Sequence, residues 1–245
     1  MQNLLPNMAQ YNIERIEADD YLPIGSTSKF PSELGVASLC SGSGTGELAI
    51  NHTVEGMAEH YSFPCATYVP FMAEKEPWKQ KWLMENGFVG KDTCLFDDCT
   101  KIMDNDAFCV NHKKKCNILN CRRTHILKSG FSCKSWSRAN VNFKENRNGM
   151  AGMKNELTSV KTFNSTRDVI VATKPDIFVF ENVESIGDTK DDDSNLSIVV
   201  DTLGSIDDEA YLVHVIHIVA TDFFIPQTRQ GFIMFPGQLV QSCAL

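Results

Sequence analysis

The sequence predicts an α/β fold: a doubly wound, mostly parallel sheet whose last strand runs antiparallel. Three observations carry this. Apolar runs of strand length alternate with segments of helical periodicity, the pattern of a parallel sheet covered by helices on both faces. The first run, Leu34–Cys40, ends on a glycine turn, Ser41-Gly42-Ser43-Gly44-Thr45-Gly46, that opens a helix. The last two runs, Tyr211–Val219 and Gly231–Phe235, are joined by a short return containing Pro226, so the final strand comes back antiparallel.

In chain order, residues 1 to 33 carry Pro6, Pro23, Gly25, Ser26, Thr27, Ser28 and Pro31 and read as a loosely structured lead-in to a catalytic domain over residues 34–245. After the first strand and its turn, Glu47–His60 has helical spacing in Leu48, Ile50, Val54, Met57 and Ala58. Ala66–Ala73 is a second apolar run, broken by Pro70, and it ends on Glu74. Pro77 suits the first turn of a helix through Trp82-Leu83-Met84, which Asn86-Gly87 stops. Cys94-Leu95-Phe96 is a third run and ends on Asp97-Asp98. Thr166–Thr173 reads as helix stopped by Pro175, Asp176–Phe180 as a buried strand, and Leu196–Ile206 as a helix with Ile198, Val199, Leu203 and Ile206 on one side.

Composition sets the class. A hydrophobic fraction of 42% and a charged fraction of 22% are those of an ordinary globular protein. No apolar run approaches the ~18 residues of a membrane span, and no secretory signal opens the chain. Nine cysteines without such a signal point to a reducing, intracellular compartment, the nucleus if the source is eukaryotic. The net charge of −8 argues against a generally basic nucleic-acid binder. Its distribution differs, because Lys113, Lys114, Lys115, Arg122, Arg123, Lys128, Lys134, Arg138, Lys144 and Arg147 face Glu145 alone between Asn111 and Arg147. That stretch is either a solvated loop or a local landing surface for phosphate.

The first three apolar runs end in the residues a nucleoside needs. A Gly42-x-Gly44-x-Gly46 turn lets backbone N–H groups approach a ligand closely. Glu74, at the end of the next run, can accept both ribose hydroxyls, and Asp98 follows the third run. The glycine spacing is not that of a dinucleotide fingerprint, so an adenosine without pyrophosphate is the more natural ligand, and S-adenosylmethionine fits. Further on, Gly130-Phe131-Ser132-Cys133 offers a thiol nucleophile, Glu181-Asn182-Val183 an acid, and Pro226-Gln227-Thr228-Arg229 a guanidinium.

In this order the segments resemble the C5-cytosine methyltransferases, from about Val36 to Phe235. Ser38-Leu39-Cys40-Ser41-Gly42-Ser43-Gly44 is similar to the first cofactor motif of that family. Glu74 matches its ribose-binding acid, and Asp98-Cys99-Thr100-Lys101-Ile102 its adenine-binding motif. Gly130-Phe131-Ser132-Cys133 resembles the family's Gly-Phe-Pro-Cys, Glu181-Asn182-Val183 its Glu-Asn-Val, and Gln227-Thr228-Arg229 its Gln-x-Arg-x-Arg. The resemblance implies a Rossmann-like methyltransferase sheet, with Cys40, Gly42, Gly44, Glu74 and Asp98 at S-adenosylmethionine. It also implies Cys133, Glu181 and Arg229 at a cytosine of DNA. RNA as substrate, and an inactive nucleic-acid-binding module, remain the alternatives.

The chemistry explains these residue types. Cytosine C5 is a poor nucleophile, and a thiolate adding to C6 makes it enamine-like. A carboxyl group at N3 stabilises the adduct, and a guanidinium presents a fixed fork of donors to base or phosphate oxygens. A base within a duplex must first be flipped out. Four departures from the family stand out: Ser132 replaces its Pro, Lys134 its Gln, Cys40 an aromatic, and Gly231 the second Arg. The family's target-recognition region and last cofactor motif have no counterpart before Leu245, so a further chain or domain is expected to supply target recognition. Finally, Cys109-x-x-His112-x-x-x-Cys116-x-x-x-x-Cys121 gathers donors of zinc-site type, read either as a structural zinc site or as a cysteine-containing basic loop. His214 and His217, on a strand, read as core or edge residues.

Overall fold

The computed structural model describes residues 31–60, 64–104, 107–142, 157–188, 194–207, 211–223 and 230–237. Arg229 with the Pro226-Gln227-Thr228 before it, the lead-in through Phe30, and Lys144, Glu145 and Arg147 lie outside them.

The described residues form one ten-stranded sheet in the order β6-β5-β4-β3-β1-β7-β8-β10-β9, with β2 beside the start of β1. These strands are β1 (Glu33–Leu39), β2 (Ala66–Tyr68), β3 (Phe71–Ala73), β4 (Cys94–Phe96), β5 (Phe108–Cys109), β6 (Lys114–Lys115), β7 (Ile126–Ser129), β8 (Ile177–Val183), β9 (Leu212–Val219) and β10 (Gln230–Gly237). Among the described residues four α-helices accompany them: α1 (Thr45–His60), α2 (Pro77–Glu85), α3 (Thr158–Thr173) and α4 (Asn195–Gly204). Pairing is parallel from β4 through β3, β1 and β7 to β8. It turns antiparallel at both ends: β10 lies between β8 and β9, and β5–β6 form a hairpin beyond β4. The expected mixed sheet with an antiparallel last strand is therefore present.

Local chemistry accounts for the elements. β1 is buried from Gly35 to Leu39, so its apolar run is continuous, as a central parallel strand requires. Pro70 splits the second apolar run into β2 and β3, which pair with successive parts of the same strand, β1. Helix α3 is longer than its apolar pattern suggested. Its first two turns bury Ser159, Thr162 and Ser165 beside Val160 and Phe163, and small hydroxyl residues hide a packed face from a hydropathy reading. It ends at Lys174 in the left-handed region (φ 44°), just before Pro175. Ser194 caps α4 by accepting from the Ser197 amide at 3.0 Å.

Phe131 organises the centre of the core. Its ring centroid lies 6.4 Å from Trp136, 5.3 Å from Phe163 and 6.1 Å from Phe180, and all four rings are buried. Burial of one such side chain stabilises by ~1.5–3 kcal/mol. The residue before the Ser132-Cys133 pair is thus a core anchor, and it fixes where that pair emerges. Among the described residues no helix is long and apolar enough to cross a membrane.

Candidate active site

The carboxyl ends of the parallel strands converge on one cavity of about 390 Å³. It is lined on one side by Cys40 and Gly42 after β1, Glu74 after β3, and Asp98 to Thr100 after β4. On the other side it is lined by Gly130 to Lys134 after β7, Thr158 and Thr162 of α3, and Glu181 to Val183 on β8. An open parallel sheet binds ligands at this edge because every strand there delivers a loop. A larger cavity of about 620 Å³, beside the amino ends of β3 and β4, holds Glu47, Tyr68 and Phe88 but none of the residues expected to act. Chemistry, not volume, selects the smaller one.

The cofactor side is built around Glu74. Its side chain is buried, yet it faces the cavity. Oε2 accepts from the Gly42 amide at 2.7 Å and Oε1 from the Glu76 amide at 3.0 Å. Lys79 Nζ stands 4.0 Å away, and the Gln80 amide donates to the Glu74 carbonyl at 2.7 Å. Each carboxylate oxygen keeps a second lone pair, so the acid can clamp the glycine turn and still accept from a diol. The turn reverses sharply, with positive φ at Cys40 (53°), Gly42 (66°) and Gly44 (81°). Gly42 lines the cavity. Gly44 does not: a Cβ there would sit 2.8 Å from the Phe88 ring, so that glycine serves close packing behind the turn.

Asp98 marks the far end of the same side. It caps a short 3₁₀ turn, accepting from the Thr100 amide at 2.9 Å and hydroxyl at 2.7 Å. Burial alone would raise its carboxyl pKa, but those two bonds, with Lys75 and Lys101 nearby, hold it below the usual carboxylate range. Cys40, standing where the family carries an aromatic, meets another thiol instead, Cys99, at 3.7 Å. That contact lowers the Cys40 pKa and raises that of Cys99.

On the other side, hydroxyl groups of α3 hold the loop that carries Cys133. The Ser132 amide donates to Thr162 Oγ1 at 3.0 Å, and Ser135 and Ser159 exchange amide-to-hydroxyl bonds of 2.9 and 3.3 Å. Trp136, fully buried, donates from Nε1 to Asn182 Oδ1 at 3.1 Å. Asn182 in turn donates to the Phe131 carbonyl at 3.0 Å, and Ser185 to the Trp136 carbonyl at 2.8 Å. The asparagine beside Glu181 therefore fastens the Cys133 loop to β8, which carries the acid. The local sequence held no sign of this, because the partners are separated by up to 51 residues.

Gly231 has a structural reason to be small. It lies in β10 opposite Val183, and a Cβ there would come 2.7 Å from the Asn182 carbonyl oxygen and 3.7 Å from Glu181 Oε1. The basic stretch is less available than its composition suggests. Arg138 is held by Glu184 at 2.9 Å and by Asp188 at 2.8 Å, Arg122 by Glu33 at 2.8 Å, and Arg123 by Asp176 at 2.7 Å. Lys128 turns toward the Ser41 carbonyl and Glu47. Lys113, Lys114, Lys115 and Lys134 remain exposed. His214 and His217 lie exposed on the edge strand β9.

The zinc-type donors are only partly those expected. Cys109, His112 and Cys116 do come together, but the fourth member of their cluster is Cys94, on β4. Cys121 borders this group: its thiol hydrogen-bonds to that of Cys94, and its Sγ lies 3.9 Å from the Asn117 carbonyl. A 3₁₀ turn over Ile118–Asn120 redirects the chain between Cys116 and Cys121.

The family model of the C-5 cytosine-specific DNA methylases matches residues 36–237, most of the chain. The chain belongs to that family. Solved structures agree in fold. A prophage-encoded protein from Escherichia coli, described as a DNA modification methyltransferase, aligns at TM-score 0.50 and 15% identity, over 84% of this chain and 47% of its own. The Schizosaccharomyces pombe Dnmt2 methyltransferase aligns at 0.50 and 13%, over 83% and 49%. The Entamoeba histolytica methyltransferase EhMeth aligns at 0.50 and 13%, over 83% and 53%. The chain spans about half the length of these structures. No curated protein sequence matches it.

Proposed function

We propose that this chain transfers a methyl group from S-adenosylmethionine to C5 of cytosine in DNA through a covalent bond to Cys133. The observation that carries this reading is the shared cavity: Cys133 and Glu181 face the same space as Gly42, Glu74 and Asp98. S-adenosylmethionine suits the cofactor side, since Glu74 offers carboxylate lone pairs to a ribose and Asp98 and Thr100 offer polar edges to adenine. When bound it supplies an electrophilic methyl group.

The chain's own residues do the rest. The Cys133 thiolate forms a bond to C6, and the C5–C6 π electrons become available at C5. Glu181 hydrogen-bonds at N3 and stabilises the charge that builds on the ring. C5 would then take the methyl group that bound S-adenosylmethionine supplies, the electron pair of the broken carbon–sulfur bond staying on sulfur. Loss of the C5 proton to a base then returns the electron pair to the ring and expels Cys133 as thiolate, which balances the cycle. Arg229 is assigned to base or phosphate oxygens. Zinc is assigned a structural role away from the cavity.

DNA is favoured by the family to which the chain belongs; RNA presents the same pyrimidine face. Tritium transfer from labelled S-adenosylmethionine to DNA and to RNA separates the substrates. Cys133→Ala is expected to abolish transfer, and Glu181→Gln to slow it by ~10²–10⁴-fold. DNA carrying 5-fluorocytosine should trap the wild type as a stable adduct, since C5 then has no proton to lose. An adduct mapped to a different cysteine would overturn the assignment, and absence of transfer to either polymer would favour a binding module.

A further inference from the structure

We propose that Cys94, Cys109, His112 and Cys116 form a closed, structural zinc site that staples the β5–β6 hairpin to the edge strand β4. The proposal stands independently of the catalytic reading. Three elements bring the donors together. Cys94 begins β4, Cys109 ends β5 and pairs with Phe96 of β4, His112 lies in the hairpin turn, and Cys116 follows β6. All four ligand atoms lie within 4.8 Å of one another, and Cys94 and Cys109 are buried.

The distances fit one tetrahedron. Zinc–sulfur bonds of ~2.3 Å and zinc–nitrogen bonds of ~2.0–2.1 Å, set at the tetrahedral angle, put sulfur and nitrogen about 3.6 Å apart. The observed separations from His112 Nδ1 are 3.5 Å to Cys94 Sγ, 3.3 Å to Cys109 Sγ and 3.7 Å to Cys116 Sγ. Hydrogen-bond geometry also sets the ring. His112 Nε2 lies 2.9 Å from the Lys91 carbonyl oxygen, which can only accept. Nε2 therefore carries the proton, and Nδ1 presents its lone pair to the three sulfurs, an arrangement typical of zinc-bound histidine. The His112 amide lies 3.5 Å from Cys109 Sγ, a further contact that fixes the turn against this sulfur.

Three sulfurs and one imidazole select zinc over harder divalent ions, and four protein ligands leave no position for a substrate. The role is thus in folding. β5 and β6 have two residues each, too short to hold a hairpin by ladder bonds alone. The hairpin presents Lys113, Lys114 and Lys115, and it lies in the segment that leads from Asp98 to β7.

The test is elemental analysis of the purified full chain, with X-ray absorption at the zinc edge. One zinc per chain with a shell of three sulfurs and one nitrogen is expected. Cys94→Ser should lose the metal and Cys121→Ser should keep it. The absorption measurement uses wild type, so a variant that fails to fold does not decide the matter. Protein that neither carries zinc nor takes up added zinc or cobalt(II) after reduction would overturn the site. So would a shell containing Cys121 in place of Cys94, or one dominated by oxygen. Hydrogen exchange over residues 107–116 should rise when a chelator strips the metal, a readout that needs no catalytic activity.

Discussion

Asn182→Ala tests whether the bond from Trp136 to Asn182 is what joins the Cys133 loop to β8. Asn182 is 2% exposed and makes three bonds: it accepts from Trp136 Nε1 at 3.1 Å and from the Val183 amide at 3.0 Å, and it donates to the Phe131 carbonyl at 3.0 Å. Truncation removes the partners of the indole N–H and of the Phe131 carbonyl, both in the core. Each buried group left unpaired costs about 1–3 kcal/mol, so the loss is about 4 kcal/mol. For a chain of this size ~2–4 °C of Tm accompanies each kcal/mol, which gives a fall of roughly 8–16 °C. Thermal unfolding followed by circular dichroism measures it. Trp136→Phe removes the indole donor, so in its presence Asn182→Ala should cost less, with a coupling of roughly 0.5–3 kcal/mol. A fall below ~3 °C, where the mechanism requires several times that, or strictly additive effects in the double variant, would refute this account.

Three further outcomes follow from the cavity. Glu74→Ala removes the acceptor of both the Gly42 and Glu76 amides; with ~1.5–3 kcal/mol for each bond to a charged group, calorimetry should show S-adenosylmethionine bound at least tenfold more weakly. Equal affinity would exclude Glu74 from the cofactor site. Thr100→Val removes the hydroxyl that helps to depress the Asp98 carboxyl. A depressed carboxyl contributes stability above its unfolded value, lost as pH falls through the folded one, so the variant should lose cofactor affinity at a higher pH than wild type, and identical pH profiles would oppose the assignment. Gly231→Ala pushes a methyl group against the Asn182 carbonyl and should lower the urea midpoint by an amount equivalent to ~1–3 kcal/mol, whereas an unchanged midpoint would show that β10 can shift freely.

Legibility in the sequence followed the range of the interactions. Strand ends marked by Gly42, Glu74 and Asp98 were readable, because short apolar runs and the residues just after them are local signals. The zinc-type cluster shows the limit. Spacing singled out Cys109, His112, Cys116 and Cys121, whereas the four donors that lie within 4.8 Å of one another are the first three and Cys94. Cys94 lies inside a hydrophobic strand fifteen positions before Cys109, and an antiparallel turn of the chain brings it back. Arginines 122, 123 and 138 misled for the same reason, since their carboxylate partners lie 89, 53 and 46–50 residues away. Asn182 was visible as part of a motif, while its task depended on a tryptophan in another loop.

The place of β10 sets an order on folding. β8 and β9 are both made before it, and neither pairs with the other; each waits for the strand that enters between them. Until residue 237 has been synthesised, two eight- or seven-residue strands expose open backbone edges, one of them next to Glu181. Such late, long-range closure slows folding and leaves a nascent chain prone to pairing with its neighbours. The latest made of the described strands is thus the one that seals the wall behind the acid.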